Sequence, residues 1–385
     1  MSEFQASNFK KENGGTPDLL GKTELTSPYF FVPPSGTTAE RPQSCAAGTL
    51  RFNTDIGSLE VFRGDTIGWE QIQRRESQYL GGGTGSNTGT GTRAFFGGGQ
   101  TPSLSDVIDF ITTSTLGDAQ DFGNLTAGKQ RMAPAASSTR GILAGGYTTN
   151  FENEIEFFTI SSTGDAADFG NLTRSNNRLA GLSNEIRGCF GGGNPESDVI
   201  DYITIAQTGN AVDFGNLTNS RQSLRGLAST TRGLFIAGLD GSDPYTSLNT
   251  VDFITILSTG NATDFGDITR LSQTGGACSN ATRGLYTGGY TSTPTPAAGV
   301  NIIDFCTIAT LGNFIDFGDA TSGVRNNAAA ASPTRAITSA GGDTPSLTNV
   351  MDFVEIATTG NALDFGDLSV TRTSIEGHSN GHGGL

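Results

Sequence analysis

The chain has 385 residues, enough for one large domain with a smaller one, or for two to three ordinary domains. With 55 glycines and only 16% charged residues, strong helix formers are scarce, which disfavours a helical protein. The net charge of −15 argues against a nucleic-acid partner, because phosphate binding depends on Lys and Arg. No run of 18 apolar residues occurs, so we expect no membrane insertion.

Residues 1–80 do not repeat, and the first 24 are polar. Residues 48–72 predict a β-hairpin with a turn at 53–57 and a third strand carrying the single Trp. Its apolar residues are expected to share one small core: Leu50, Phe52, Leu59, Val61 and Trp69. So few residues form only a marginal fold alone. We therefore expect this segment to dock onto a partner or to oligomerise.

Residues 28–72 contain four short motifs in a fixed order: Phe-Val-Pro-Pro-Ser-Gly-Thr-Thr-Ala-Glu-Arg-Pro at 31–42, Gly-Thr-Leu-Arg-Phe-Asn-Thr-Asp at 48–55, Leu-Glu-Val-Phe at 59–62 and Gly-Trp-Glu at 68–70. In order and spacing they resemble a motif of bacteriophage virion proteins, particularly those of marine phages. In that family the motif belongs to tail-fibre and other structural proteins. The resemblance implies that residues 1–80 anchor the chain to other virion proteins.

Residues 81–92 contain six glycines and predict a flexible linker. The spacing of these glycines matches neither of the two phosphate-binding loop patterns, so no nucleotide cofactor is expected.

A repeat dominates the rest of the chain. Asp-Phe-Gly occurs six times, another aromatic residue lies twelve residues before each Phe, and an Arg lies eighteen residues after each of the first five. The expected structural anchors are the Phe residues and the arginines, Phe122, Phe169, Phe214, Phe265, Phe317, Phe365, Arg93, Arg140, Arg187, Arg232, Arg283 and Arg335. The third segment, from Arg to the first aromatic residue, varies from 15 to 22 residues. Constant segments indicate a packed framework, and the variable segment indicates surface loops at one end of it.

The repeat predicts an all-β fold, a six-bladed β-propeller of four-stranded blades over residues 93–382, with a tail at 383–385. Each repeat contains an Arg-Gly strand, a Val-Asp-Phe strand, an Asp-Phe-Gly strand and a weaker fourth strand such as residues 178–184. The C-terminal strand is expected to complete the blade that begins at Arg93, which removes the open sheet edge. A glycine pair, a variable loop and then an aromatic strand make residues 92–382 similar to the kelch family. That resemblance implies a binding scaffold more often than an enzyme.

Several residues belong to types that can carry catalysis or bind a metal. Asp-Phe-Gly is also the kinase magnesium motif, but six copies at a structural period, without the other kinase motifs, indicate a structural role. The only histidines, His378 and His382, are expected in a mobile C-terminal tail rather than in a metal site. The four cysteines show no Cys-x-x-Cys spacing and predict buried single thiols. We expect no catalytic residue, no metal and no cofactor.

Binding is expected at the variable loops, through aromatic rings that contact a sugar or a protein and through acids that hold a calcium ion or form a plain turn. The candidate residues are Tyr147, Phe151, Asp240, Asp243, Tyr245 and Tyr290. The six repeated arginines have a default role in hydrogen bonding between neighbouring blades. An anion-binding ring is the alternative, and it is also the best argument for an enzyme, because six-bladed sialidases cluster arginines.

The predicted function is that of a phage virion structural protein located in the tail, with propeller loops that bind the host surface or other virion proteins. The alternatives are a glycan-degrading propeller enzyme on the virion and a capsid decoration protein. A host glycan or protein is the expected partner, and whether the chain forms a homo-oligomer in the particle stays open.

Overall fold

The chain folds into two compact units, Met1–Arg74 and Arg75–Leu385, in a computed structural model. The structure describes residues 34–42, 45–55, 58–66, 68–71, 92–241, 246–291, 298–339, 341–342 and 347–381. The predicted linker, apart from Thr92, and the predicted tail at 383–385 lie outside these residues. The fold is all-β, as the composition predicts. Among the described residues, no helix is long and apolar enough to cross a membrane.

The smaller unit contains one mixed sheet. Its strands are β1 (Ser35–Gly36), β2 (Leu50–Asn53), β3 (Ser58–Phe62) and β4 (Trp69–Gln71), with a 3-10 turn at Thr38–Glu40. Strand β1 runs parallel to β2, and β2, β3 and β4 are antiparallel neighbours. The predicted hairpin and its third strand are therefore present.

The prediction that the apolar strand residues of this unit share a core is wrong. Leu50 and Leu59 are 45% and 39% exposed, while Glu60 on the opposite face is fully buried. Glu60 accepts a hydrogen bond from Asn53 at 2.8 Å and is ion-paired with Arg41. Strand residues alternate between the two faces of a sheet, so burying the Glu60 face leaves the leucine face outside. An apolar sheet face is therefore left exposed.

The larger unit consists of short strands. The first nine are β5 (Arg93–Gly97), β6 (Gln100–Thr101), β7 (Ser103–Leu104), β8 (Val107–Thr112), β9 (Gln120–Asn124), β10 (Ala133–Ala136), β11 (Arg140–Ala144), β12 (Glu154–Thr159) and β13 (Ala167–Asn171). The next eight are β14 (Ala180–Ser183), β15 (Arg187–Gly191), β16 (Val199–Thr204), β17 (Val212–Asn216), β18 (Arg225–Ala228), β19 (Arg232–Asp240), β20 (Thr246–Thr255) and β21 (Thr263–Ser272). The last ten are β22 (Gly276–Ser279), β23 (Arg283–Thr287), β24 (Tyr290–Thr291), β25 (Ala298–Thr307), β26 (Ile315–Val324), β27 (Ala329–Ala331), β28 (Arg335–Thr338), β29 (Val350–Glu355), β30 (Leu363–Asp367) and β31 (Glu376–Ser379).

In the described part of this unit, six antiparallel sheets correspond to the six repeats. Sheet 1 has the order β31-β5-β8-β9, so its first strand comes from the C-terminal end of the chain. Sheets 2, 3, 4 and 6 are β10–β13, β14–β17, β18–β21 and β27–β30. Sheet 5 has the order β22-β23-β25-β26, and β24 pairs with the extended start of β25. Strands β6 and β7 form a separate short hairpin.

The strand predicted to come fourth in each repeat is in fact the first strand of the next sheet. Residues 180–183 pair with β15, not with the preceding Asp-Phe-Gly strand. The reason is that the chain leaves each Asp-Phe-Gly strand by a connection of three to eight residues and enters the next sheet beside its Arg strand. The first strands of successive sheets contact one another, and the series returns from β31 to β10.

Each sheet packs against the next through an apolar cluster. In sheet 2 and sheet 3, for example, Ile155 and Phe169 pack with Phe190 and Ile203. Every Asp-Phe-Gly Phe is almost fully buried and meets the aromatic ring twelve residues earlier edge to face, with centroids 5.6–6.4 Å apart. Burial of these rings stabilises the contact between sheets.

The Gly of each Asp-Phe-Gly has a steric role. A Cβ on Gly123 would lie 2.3 Å from the carbonyl oxygen of Gly164 in the next repeat. The equivalent approach recurs in all six copies, and in the last copy the neighbour of Gly366 is Gly117 of sheet 1. Asp165, in the turn of the next repeat, accepts a hydrogen bond from the Asn124 N–H at 2.9 Å.

The cysteines and His378 are placed by the same packing. Cys189, Cys278 and Cys306 are free and buried, and burial raises the pKa of each thiol to about 12. Cys45 is only half-buried. His378 does not lie in a mobile tail: it is in β31, 6% exposed, and its ring stacks on Phe95 at 5.6 Å, because β31 pairs with β5. His382 lies outside the described residues.

Candidate functional site

The six repeated arginines contact neighbouring sheets rather than converging on one point. Each guanidinium lies over the first aromatic ring of its own repeat, 4.5–4.9 Å from the ring centroid. Each Nη1 also donates to a carbonyl oxygen of the next sheet at 2.8–3.2 Å, and Arg335 donates to Thr113 of sheet 1. Cation–π contacts and hydrogen bonds thus occupy these groups. This geometry gives no support to the alternative of an anion-binding ring.

A second set of six side chains was missed by sequence reasoning. An acid precedes the first aromatic residue of every repeat, and all six are at most 7% exposed: Asp109, Glu156, Asp201, Asp252, Asp304 and Asp352. Each accepts a hydrogen bond from a Ser or Thr that follows the Asp-Phe-Gly of the preceding repeat. The signal was the constant acid one residue before each aromatic residue. These carboxylates therefore join neighbouring sheets.

A hydrogen-bonded ring lies at the start of the six first strands. Its members stand nine residues after each Asp-Phe-Gly Phe and all have a left-handed backbone, with φ between 55° and 59°: Arg131, Arg178, Ser223, Thr274, Asn326 and Ser374. The N–H of each donates to the carbonyl oxygen of the preceding member at 2.8–3.2 Å, and the Arg131 N–H donates to Ser374. Non-glycine residues adopt this conformation only where their surroundings hold them there.

An arginine pocket of about 240 Å³ opens at this ring. None of the described residues that line it is a carboxylate. They are four arginines, hydroxyl and amide side chains and a tyrosine: Arg131, Arg178, Arg225, Arg325, Ser223, Thr274, Ser374, Gln273, Asn326 and Tyr290. A chain with a net charge of −15 therefore concentrates positive charge at one end of its larger unit.

Arg131 is the most unusual of these arginines. Burial, together with the nearby positive charge of Arg178, lowers the pKa of Arg131 to about 10. Within the described ranges, no carboxylate lies within ion-pair distance of its guanidinium, whereas Arg225 is paired with Glu376. The repulsion between these two neighbouring positive charges raises the free energy of the empty pocket.

One of the arginines that line the pocket forms an ion pair. Arg225 Nη1 lies 3.4 Å from Glu376 Oε1, and the two residues belong to β18 and β31, the first strands of sheets 4 and 1. Beyond it, a narrow space of about 50 Å³ is lined by small residues from all six first strands. Of the two residues, only Arg225 lines the arginine pocket.

Glu376 predicts a pH dependence of stability. Burial raises its pKa from 4.5 to about 7, so the folded state binds this proton more tightly than the unfolded chain does. The stability it contributes is full below pH 4.5 and is lost as the pH rises through 7. Glu376→Gln should therefore gain stability relative to wild type between pH 5 and pH 8, by about 3 kcal/mol at most. Urea unfolding at these pH values measures the difference.

The control for this experiment is Glu355→Gln, which removes a carboxylate that is 49% exposed. Its stability relative to wild type should change little over the same pH range. A Glu376→Gln difference that is also constant with pH would contradict the raised pKa.

The predicted loop residues are placed differently from one another. Tyr290 lines the arginine pocket, and Arg325 lies 4.6 Å above its ring. Tyr147 forms an isolated antiparallel β-bridge with Gln130, the residue before Arg131 of the hydrogen-bonded ring. The centroid of its aromatic ring lies 6.0 Å from that of Phe151, which is 38% exposed. Asp240 ends β19. Asp243 and Tyr245 lie outside the described residues, and so does half of the calcium site expected from Asp240 and Asp243.

The sequence did not predict the hydrogen-bonded ring or the arginine pocket. At the ring positions only the spacing is constant, and the residue type changes from repeat to repeat. A scan against models of protein families found no match, and neither did a search of curated proteins.

Proposed function

We propose that residues 93–382 form a closed, six-bladed, kelch-like propeller that is a binding module of a phage virion structural protein. The observation that carries the proposal is the cyclic set of hydrogen bonds joining the six left-handed residues, from Arg131 back to Ser374. The pairing of β31 with β5 and the contact between β31 and β10 support closure as well. In a propeller, closure leaves no exposed sheet edge and presents equivalent loops at one end.

The binding face in this proposal is the end that carries the arginine pocket. The variable connections leave the second strands there, and Tyr290, which follows β23, lines the pocket. The framework acids and arginines are occupied by contacts between sheets, which leaves the loops and the pocket as the surface that differs between repeats. A binding role without catalysis is the function this arrangement supports best.

The smaller unit provides the proposed anchor to the virion. Its support is the resemblance of residues 28–72 to phage virion proteins and the exposed apolar sheet face at Leu50 and Leu59. Burial of such a face against another virion protein would remove apolar surface from water. The tail is the proposed location.

Immunogold electron microscopy tests this function. Antibody against residues 92–385 is applied to particles from a lysate in which the protein is made. Label at the tail or its fibres is the expected result. Label over the shell would favour capsid decoration, and unlabelled particles would overturn the virion proposal. Reducing sugar released from host polysaccharide by the purified chain would favour the enzyme.

A further inference from the structure

We infer that the arginine pocket binds a compact oxyanion carrying at least two negative charges, of the phosphate class. The inference deepens the proposed binding function, on which it rests for its biological meaning. It is carried by four arginines, by hydroxyl groups without partners and by the absence of a lining carboxylate among the described residues.

The first step concerns charge. Arg131 and Arg178 are neighbours in the ring, and their like charges repel each other in a half-buried site. A bound anion would offset this repulsion and would be held by charge-assisted hydrogen bonds. Guanidinium groups match the geometry of phosphate oxygens, because two parallel N–H groups can donate to one anion.

The second step concerns hydrogen bonding. The Ser223 hydroxyl is in a residue only 3% exposed, lines the pocket and has no hydrogen-bond partner. The buried hydroxyl of Thr274, at the next ring position, has none either. Buried polar atoms in folded proteins are almost always satisfied. Two such donors beside four arginines indicate a ligand that accepts hydrogen bonds.

The third step concerns size. The ring backbone N–H groups already donate to the ring carbonyls, so recognition falls to the side chains. A volume of about 240 Å³ is several times that of a water molecule, about 30 Å³ in the liquid. It suits a phosphate group or a sugar phosphate.

Isothermal titration calorimetry of the full chain with inorganic pyrophosphate tests the inference. Saturable binding at one site is expected, and it should weaken at high ionic strength. Arg131→Ser should raise the dissociation constant about tenfold or more, since hydrogen bonds to charged groups are lost. We expect Ser to be tolerated at position 131, because Ser223 and Ser374 occupy the equivalent positions with the same left-handed backbone.

Two controls separate binding from folding and from net charge. Arg131→Ser should melt at or above the wild-type temperature, because it removes a like-charge contact. Arg63→Ser removes the same charge from the smaller unit, where the side chain is 56% exposed, and should leave the dissociation constant unchanged. Equal weakening by both variants, or the absence of saturable pyrophosphate binding by the wild type, would overturn the inference.

Glucose 6-phosphate and glucose distinguish the source of the anion. Binding of the sugar phosphate but not of glucose supports the oxyanion site and a phosphorylated glycan as its source. Binding of pyrophosphate alone supports the site with a free anion as its ligand. These results do not depend on virion labelling: labelled tails without anion binding would reject only the pocket, and anion binding without labelled particles would reject only the virion.

Discussion

Removal of residues 368–385 is expected to prevent the larger unit from folding into a soluble monomer. The deletion takes away the fully buried Ile375 and the strand β31 with its fully buried Ser379, and it leaves the edge of β5 unpaired. It also removes the partner of the buried Asp109. We expect the combined loss to be large against the 5–15 kcal/mol that typically stabilises a domain, and an exposed edge favours aggregation.

Size-exclusion chromatography with light scattering and a thermal melt measure this effect on residues 92–367. The matched control is residues 92–381, which keeps β31 and should remain monomeric with the melting temperature of residues 92–385. A truncated chain 92–367 that stays monomeric and melts like the control would show that β31 does not close the structure.

Arg372→Ala has the second large expected effect, a loss of about 3–5 kcal/mol in the free energy of unfolding. Arg372 and Asp109 are fully buried, and their side chains meet at 2.6 Å. Arg372 also donates to the carbonyl oxygens of Gly98 and Phe96 at 2.9 and 3.2 Å. Removing it leaves the Asp109 carboxylate buried without its counter-charge. Urea unfolding gives the difference.

Two other ion pairs of the chain serve as comparisons for this variant, one equally buried and one exposed. Arg221 and Asp252 form the same fully buried pair at 2.9 Å, so Arg221→Ala should cost a similar amount. Arg63→Ala breaks an exposed pair and should change the free energy by about 1 kcal/mol or less. Replacing Arg372 and Asp109 together with Met and Leu should recover much of the loss. If Arg372→Ala cost no more than Arg63→Ala, the buried pair would not stabilise the fold.

The framework was predictable because it repeats in residue type as well as in spacing. Phe122 and its five counterparts recur every 45 to 52 residues with a ring twelve residues earlier, and the structure places these two rings edge to face. The Arg, aromatic and Phe side chains stack in every repeat, so the sequence must keep all three. Strand assignment was less complete, because a first strand made of Ala and Gly, such as residues 329–331, has no alternating pattern.

The candidate site was not predictable in the same way. Ring positions hold Arg, Ser, Thr or Asn, since the repeated requirement there is a backbone conformation and not a side chain. In the smaller unit, the apolar alternation from Leu50 to Phe52 and from Leu59 to Val61 indicated strands correctly and a core wrongly. A hydrophobic period of two residues shows that the two faces of a sheet differ, but it does not show that another element covers the apolar face.

Hydrogen exchange of the Arg131 amide tests the central claim, a closed ring of six sheets, most directly. Its N–H donates to Ser374, which lies close to the opposite end of the unit in sequence. In a closed propeller this amide should exchange as slowly as those of Arg178 and Thr274 within the ring, because all three open only with the whole unit. Transverse-relaxation-optimised NMR on deuterated protein resolves the three rates. Fast exchange at Arg131 alone, with Arg178 and Thr274 still protected, would contradict closure.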